Sequence, residues 1–149
     1  MKYQKFIHQF FRDLTSLGSF VFFSIIILLT LAFQKHLLTI KLIFGLISTL
    51  LIVILIRIFY FKNRPKKQNH HNFIERIDAS SFPSLHTARV VFLALIFNQS
   101  FPTPLTITFF TTIAVFTAYS RIYLKKHDWY DLFGGLILGL IAFYITTFF

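Results

Sequence analysis

The pattern of apolar and polar positions predicts a chain that crosses a membrane several times. Long uncharged runs alternate with short connectors that hold most of the charges. A helix of about 20 apolar residues is long enough to cross the hydrocarbon core of a bilayer. The runs predict five spanning helices, at about 17–33, 42–61, 84–98, 104–122 and 132–149.

Helix-breaking residues, rather than charged residues, separate the third and fourth predicted spans. The run from Val90 to Ser120 is uncharged but too long for one helix, and Asn98, Pro102 and Pro104 interrupt it. Lipid cannot satisfy the unpaired backbone groups of an open strand. We therefore expect one all-α bundle, a single membrane-embedded domain over residues 1–149.

The N-terminal residues show a helical pattern of their own. Apolar side chains recur on one face of residues 2–14, with Lys2, Lys5 and Arg12 on the other. This pattern is typical of a helix in the headgroup layer, although a plain extension of the first span explains it equally well. A cleaved signal peptide is less suitable, because residues 33–35 offer no small-residue cleavage site.

The composition agrees with a membrane protein. Hydrophobic residues make up 56% of the chain and charged residues 13%, against about 25% charged in soluble domains. The absence of cysteine excludes disulfides, thiolate catalysis and cysteine-ligated metals. The net charge of +10 lies in connectors, so it indicates phosphate groups or membrane lipids as partners rather than nucleic acid.

Alternating connectors bring the N-terminus, loop 62–83 and connector 120–131 to one membrane face. Ionisable groups at the edge of lipid are costly and usually mark a functional site. The candidates on this face are Arg57, Arg64, His86, Arg121, His127 and Asp131.

His127 and Asp131 would share a face if a helix covered 127–131. The carboxylate would then hold one imidazole nitrogen and leave the other free as a nucleophile or base. Arg121 offers a planar fork for phosphate oxygens. Taken alone, a salt-bridged turn at the interface explains the His-Asp spacing better.

The other two clusters are weak signals individually. Ser84 is a candidate N-cap whose helix start offers free N–H groups to an anion, and His86 could protonate a leaving oxygen. Arg57 and Arg64 lie seven residues apart at the end of a span. Taken alone, Arg57 and Arg64 are explained much better as arginines at the end of a span whose side chains extend toward the membrane interface.

Taken in order, the clusters resemble the signature of the type 2 phosphatidic acid phosphatase superfamily, which shares its site with vanadium haloperoxidases. That signature is Lys-x6-Arg-Pro, then Pro-Ser-x-His, then Ser-Arg-x5-His-x3-Asp. The matching segments here are Arg57–Pro65, Pro83–His86 and Ser120–Asp131. The resemblance covers about residues 57–131.

The resemblance implies a lipid phosphatase that needs no metal or cofactor. His127 would attack phosphorus and form a phosphohistidine, and Asp131 would hold its ring. His86 would protonate the leaving group and then activate water. The phosphoryl oxygens would be held by Arg57, Arg64, Arg121 and Ser84. Polyprenyl diphosphate, phosphatidylglycerol phosphate and phosphatidate all fit as substrates.

The chain departs from the pattern at two positions. Arg57 replaces the usual lysine, and Leu85 replaces a frequent glycine, where it could crowd the lipid. Arg89 could reach the phosphate or face headgroups. Five spans instead of six suggest a missing N-terminal helix.

Three other functions stay open at this point. A phosphotransferase could use the same intermediate, and a catalytically silent protein could bind lipid. A metal site at His70, His71 and His127 is a weaker alternative, because the first two side chains diverge.

The distribution of Lys and Arg predicts which side of the membrane holds the candidate site. Thirteen of the 15 Lys and Arg residues lie on the face of the candidate site, and only Lys35 and Lys41 lie on the other. The positive-inside rule then places the site on the cytoplasmic side of a prokaryotic plasma membrane. The resemblance predicts the opposite orientation, since many relatives are thought to work on the outer face. The sequence leaves the oligomeric state open.

Overall fold

The computed structural model describes residues 2–66, 68–69 and 71–148. Every regular element in these ranges is helical, which confirms the all-α class. In chain order they are α1 (Lys2–Leu14), a 3-10 turn (Thr15–Gly18), α2 (Phe20–Ala32), α3 (His36–Phe59), α4 (Phe73–Ala79), α5 (Leu85–Ser100), α6 (Pro104–Tyr123) and α7 (Trp129–Thr146).

Within the described ranges, three helices are long and apolar enough to cross a bilayer by themselves, namely α3, α6 and α7. The segment of α1 and the 3-10 turn joins α2 at a bend of 51°, and this bent pair is a fourth candidate span. Helix α5 has 16 residues, fewer than the about 20 that a bilayer requires. Large apolar side chains are exposed all along the outer surface of α2 and α3. The chain is therefore an integral membrane protein.

The helix boundaries differ from the apolar runs by a few residues, because side-chain caps and turns set them. Ser19 accepts a hydrogen bond from the backbone N–H of Phe22, so α2 begins at Phe20 rather than at 17. Helix α3 has no side-chain cap and begins at His36, six residues before the predicted span and two residues after Gln34, which has a left-handed backbone conformation. Helix α7 begins at Trp129 instead of 132, because Asp128 caps it.

Helix α5 is the centre of the bundle and contacts α3, α6 and α7. Its residues Phe92, Leu93 and Ile96 are buried in a core with Phe23 of α2 and Leu42 of α3. The helix is thus surrounded by protein on several sides, which explains how so short a helix stays in the bundle. Its N-terminus lies at the membrane face that carries loop 60–84.

Glycines let α7 approach α5 closely. A Cβ on Gly135 would lie 2.5 Å from the carbonyl oxygen of Ser84, and one on Gly139 would lie 2.7 Å from that of Ala88. The spacing Gly-x-x-x-Gly is the small-residue pattern of tightly packed membrane helices. This contact places the start of α5 beside the start of α7, where the candidate residues lie.

Helix α1 packs across the end of α6 through aromatic side chains. The ring of Phe11 stacks on that of Tyr123 at 4.3 Å between centroids and meets Tyr119 edge-on. Tyr3 and Phe6 stay exposed. Because of the bend, α1 is not a straight continuation of α2. The contact brings the 3-10 turn to the same membrane face as the candidate residues.

Candidate active site

His127 lies in the tight connector between α6 and α7. The backbone N–H groups of Lys126 and His127 both donate to the carbonyl oxygen of Arg121, at 3.0 and 3.2 Å. Lys125, with φ of 54°, makes the turn possible. His127 is 3% exposed. The connector therefore buries the imidazole directly beneath the end of α6.

Asp131 meets His127 in a different way from the expected shared helix face. His127 precedes Asp128, the N-cap of α7, so the two residues are not both helical. The capping box nevertheless turns Asp131 back, and its Oδ2 lies 3.4 Å from Nδ1 of His127. This distance is long for a hydrogen bond, and Nδ1 of His127 has no other partner within the described residues.

The carboxylate of Asp131 is fully buried and held at both oxygens. Oδ1 accepts hydrogen bonds from Nζ of Lys62 at 2.8 Å and from Oγ of Ser81 at 3.3 Å. Oδ2 accepts one from the backbone N–H of Asp128 at 3.0 Å. Lys62 also contacts the Asp128 carboxylate at 2.6 Å. The carboxylate is therefore fixed in position before any substrate binds.

Burial and charge set the protonation of these groups. Burial lowers the pKa of His127 below its ordinary value, and nearby Arg121 and Arg64 lower it further, while Asp131 opposes them. The imidazole is therefore neutral at neutral pH. Burial also acts to lower the pKa of Lys62, but hydrogen bonds with Asp128 and Asp131 outweigh it and raise that pKa, so the ammonium stays charged.

Three arginines lie near the His127–Asp131 pair, and each is anchored to the protein by part of its guanidinium. Arg121 and Arg64 interact electrostatically with His127, and Arg57 interacts with Asp131. Arg57 donates to the carbonyl oxygens of Ile77 and Pro83, at 3.2 and 3.1 Å. Arg64 donates to the carbonyl oxygen of Asp78 at 2.6 Å. These anchors orient both guanidinium groups without neutralising them.

The third guanidinium is anchored by the N-terminal segment. Nη1 of Arg121 donates to Oγ1 of Thr15 at 2.9 Å. In Arg57, Arg64 and Arg121 alike, the Nε atom is buried and has no hydrogen-bond partner within the described residues. A buried donor without an acceptor costs about 1–3 kcal/mol. Each of the three guanidinium groups therefore keeps a donor without a partner among the described residues.

His86 completes the cluster from the start of α5. It lies close enough to Arg121, His127 and Arg64 to interact with them electrostatically, so residues from all three sequence motifs lie in the same region of the bundle. The 3-10 turn packs directly against it, since a Cβ on Gly18 would lie 3.0 Å from the Cβ of His86. The turn is therefore a wall of the site.

Ser84 caps α5, as predicted, and also joins α5 to α7. Its hydroxyl oxygen accepts hydrogen bonds from the Thr87 backbone N–H at 3.4 Å and the Thr87 hydroxyl at 3.0 Å. Its backbone N–H donates to the carbonyl oxygen of Asp131 at 3.0 Å. Leu85 packs against a cluster that contains Val53 and Leu138. These apolar partners give no support to the expectation that Leu85 crowds the lipid.

Some residues of the site were missed by the sequence analysis. The role of Asp128 could have been predicted, because Asp-x-x-Asp before an apolar run is a capping-box pattern. No sequence pattern could have identified Lys62 or Thr15, because their partners lie 66 to 106 residues away in the chain. His70 of the possible metal site lies outside the described residues. In the part of the chain that is described, no group of three His, Asp or Glu side chains could hold a metal ion.

The arrangement combines a neutral, buried imidazole, a carboxylate near its Nδ1 and anchored guanidinium groups nearby. The carboxylate favours the proton on Nδ1, so the lone pair of Nε2 is free to attack. The guanidinium groups suit the oxygens of a phosphoryl group. This is chemistry suited to phosphoryl transfer.

Comparisons with known proteins agree with this chemistry. The structure is similar to the crystal structure of Aquifex aeolicus LpxE, with a TM-score of 0.81 and 23% identity over 97% of this chain and 87% of the other. It is also similar to a PAP2-type phosphatidylglycerolphosphate phosphatase from Bacillus subtilis, with a TM-score of 0.78 and 20% identity over 95% and 75% of the two chains. No curated protein matches the sequence. Residues 37–149 match the PAP2 superfamily, and the chain therefore belongs to this family, the lipid phosphatase family that the order of its three motifs predicts.

Proposed function

We propose that this PAP2 lipid phosphatase hydrolyses a lipid phosphate through a phosphohistidine on His127, without a metal ion. One observation carries the proposal. The His127–Asp131 pair has three arginines nearby, two interacting with His127 and one with Asp131, and the buried Nε–H groups of all three have no acceptor within the described residues. A bound phosphate would supply those acceptors.

Binding comes first in the proposed reaction. Phosphoryl oxygens accept hydrogen bonds from Arg57, Arg64 and Arg121, and the hydroxyl of Ser84 lies at the start of α5 to add another. Charge-assisted hydrogen bonds of this kind are short and strong. The donors are already in place, so they stabilise the charge that develops in the transition state without rearranging.

Chemistry follows in two transfers. Nε2 of His127 attacks phosphorus, the bond from phosphorus to the lipid oxygen breaks, and His86 donates a proton to that oxygen. Asp131 stabilises the positive imidazole ring of the phosphohistidine. Water then attacks the same phosphorus, giving its proton to His86, and orthophosphate leaves as His127 is regenerated.

The substrate class follows from where the site lies. The site is at one end of a bundle whose outer surface is apolar, so a phosphate at headgroup depth reaches it while an attached tail stays in lipid. The Bacillus subtilis neighbour is named for a lipid substrate of this kind. We propose the same class of substrate here.

Phosphate release from lipid phosphates in detergent tests the proposal. Purified protein should release orthophosphate in the presence of a chelator and lose this activity with vanadate. His127→Ala should abolish release, whereas His71→Ala, at an exposed loop histidine, should not. Absence of release by the unaltered protein, or full release by His127→Ala, contradicts the proposal.

A phosphotransferase would use the same intermediate but pass the phosphoryl group to an alcohol. Adding a small alcohol acceptor and analysing the products distinguishes the two. Hydrolysis predicts orthophosphate as the main product at every acceptor concentration, and transfer predicts a phosphorylated alcohol in its place.

We further propose that the site faces the cytoplasm, because of the unequal distribution of Lys and Arg. The chain has no cysteine, so single cysteines can be labelled cleanly. Gln68→Cys lies at the end of the bundle that carries the site and Gln99→Cys at the other. An impermeant maleimide added to intact cells should label only the second, and labelling of only the first reverses the orientation.

A further inference from the structure

Arg89 is a buried cation that the proposed reaction does not use. It lies on α5, and only 5% of its surface is exposed. Its Nε has no hydrogen-bond partner, and no acidic side chain pairs with it, within the described residues. Its guanidinium lies over the ring of Phe20, 5.8 Å from the centroid.

The contact with Phe20 does not offset the burial of this charge. A cation over an aromatic ring contributes up to about 2 kcal/mol when desolvated. Removing a charged group from water costs several kcal/mol even after relaxation. An arginine that faced headgroups would also be exposed, and Arg89 is not. Its environment is therefore that of a cation whose anionic partner is a ligand.

The position of Arg89 shows where that anion would lie. Arg89 follows His86 by three residues, so the two share a face of α5, and Arg89 is about 4.5 Å further along the helix axis. Both face the N-terminal segment, where Gly18 packs on His86 and Phe20 lies under Arg89. Since α5 runs from the site toward the opposite membrane face, Arg89 lies on the membrane-interior side of His86.

In the proposed reaction His86 protonates the oxygen that leaves with the lipid. A group just beyond it toward the membrane interior therefore contacts the part of the substrate between the scissile phosphate and the tail. We propose that Arg89 binds a second phosphate group at this position. The inference rests on the proposed function and narrows its substrates to lipids with two phosphates, either a diphosphate or a terminal phosphate that follows a phosphodiester.

For a diphosphate the steps balance as follows. Nε2 of His127 bonds to the terminal phosphorus, and the bond from that phosphorus to the bridging oxygen breaks. The leaving group is the lipid monophosphate, whose negative charge Arg89 neutralises while His86 protonates it. Water then releases orthophosphate from His127.

Matched pairs of substrates test the inference. Farnesyl diphosphate and farnesyl phosphate share one tail, and phosphatidylglycerol phosphate and phosphatidate share another. The unaltered protein should show a kcat/KM at least tenfold higher for the two-phosphate member of one pair. The pair that shows this preference identifies whether the second group is a diphosphate or a phosphodiester.

Variants then assign the preference to Arg89. Arg89→Gln should lower kcat/KM for the two-phosphate lipid about tenfold more than for its one-phosphate partner, and Arg89→Lys should keep part of the preference. Arg76→Gln is the matched control, since Arg76 also lies over an aromatic ring, that of Phe61, but is exposed. It should leave the preference unchanged.

The inference is overturned if the unaltered protein has the same kcat/KM for both members of each pair. This result does not depend on whether any variant folds. It is also overturned if Arg89→Gln lowers kcat/KM equally for both members of the preferred pair. Failure of the proposed function would look different, because no lipid in the panel would then release phosphate.

Discussion

Lys62 offers a sharp test of how the site controls its nucleophile. Its ammonium lies 2.8 Å from Oδ1 of Asp131, and the other oxygen of that carboxylate lies 3.4 Å from Nδ1 of His127. Lys62 thus shares the negative charge that would otherwise act on the imidazole alone. Lys62→Met removes this cation, and a protonated His127 should become easier to form.

The geometry gives the size of the effect. The ammonium and the imidazole lie at most about 8.5 Å apart, measured through the carboxylate. At this distance the repulsion between two unit positive charges is about 2 kcal/mol at an effective dielectric of about 20 and about 0.5 kcal/mol in water. The pKa of His127 should therefore rise in the variant. The acid limb of the rate profile should move upward by about 0.4 to 1.4 pH units.

The assay is kcat/KM for a lipid phosphate as a function of pH, which reports the ionisations of the free enzyme. The unaltered protein should stay active below pH 6.5, because burial keeps the pKa of His127 below its ordinary value and the neutral form attacks. Lys66→Met removes an exposed charge from the same loop and should leave the limb in place. If Lys62→Met is active and the acid limb of its pH profile is unchanged, the electrostatic coupling between Lys62 and His127 is refuted.

Two glycine substitutions test the packing around the site. Gly18→Ala places a methyl group 3.0 Å from Cβ of His86. This variant should lower kcat about tenfold, because small displacements of a catalytic group are costly. Gly45→Ala, in the core, is the control and should lower thermal stability without this specific loss of kcat. Gly135→Ala forces a methyl group to 2.5 Å from the Ser84 carbonyl and should destabilise the fold by about 1–3 kcal/mol. Thermal unfolding in detergent would detect this, and an unchanged midpoint would show that α5 and α7 can separate freely.

The helical class could be predicted because lipid allows few alternatives. Uncharged runs of sufficient length must form helices in a bilayer, and the structure confirms them. The positions where helices begin depend on caps, which hydropathy does not show. The start of α7 illustrates this, since Asp128 and Asp131 look like connector residues by charge but are the cap and first turn of the helix.

The candidate residues of the site could be named as a set from the sequence, but their contacts could not. Spacing placed Arg121, His127 and Asp131 together because only a short stretch of sequence separates them. Nothing in the sequence links Lys62 to Asp131 or Thr15 to Arg121, since each contact depends on how separate helices pack. These tertiary contacts fix the carboxylate and the guanidinium, and they therefore determine how the predicted residues act.

The way the cations are anchored explains how a site of one charge sign can exist before substrate binds. Arg57 and Arg64 are held by backbone carbonyl oxygens, which orient a guanidinium without cancelling its charge. A carboxylate in the same place would compete with the phosphate for the same donors. Asp131, the buried carboxylate, is instead occupied by Lys62 and directed at His127. Separating the charges in this way leaves the arginines available to the proposed phosphate and the carboxylate available to His127, the proposed nucleophile.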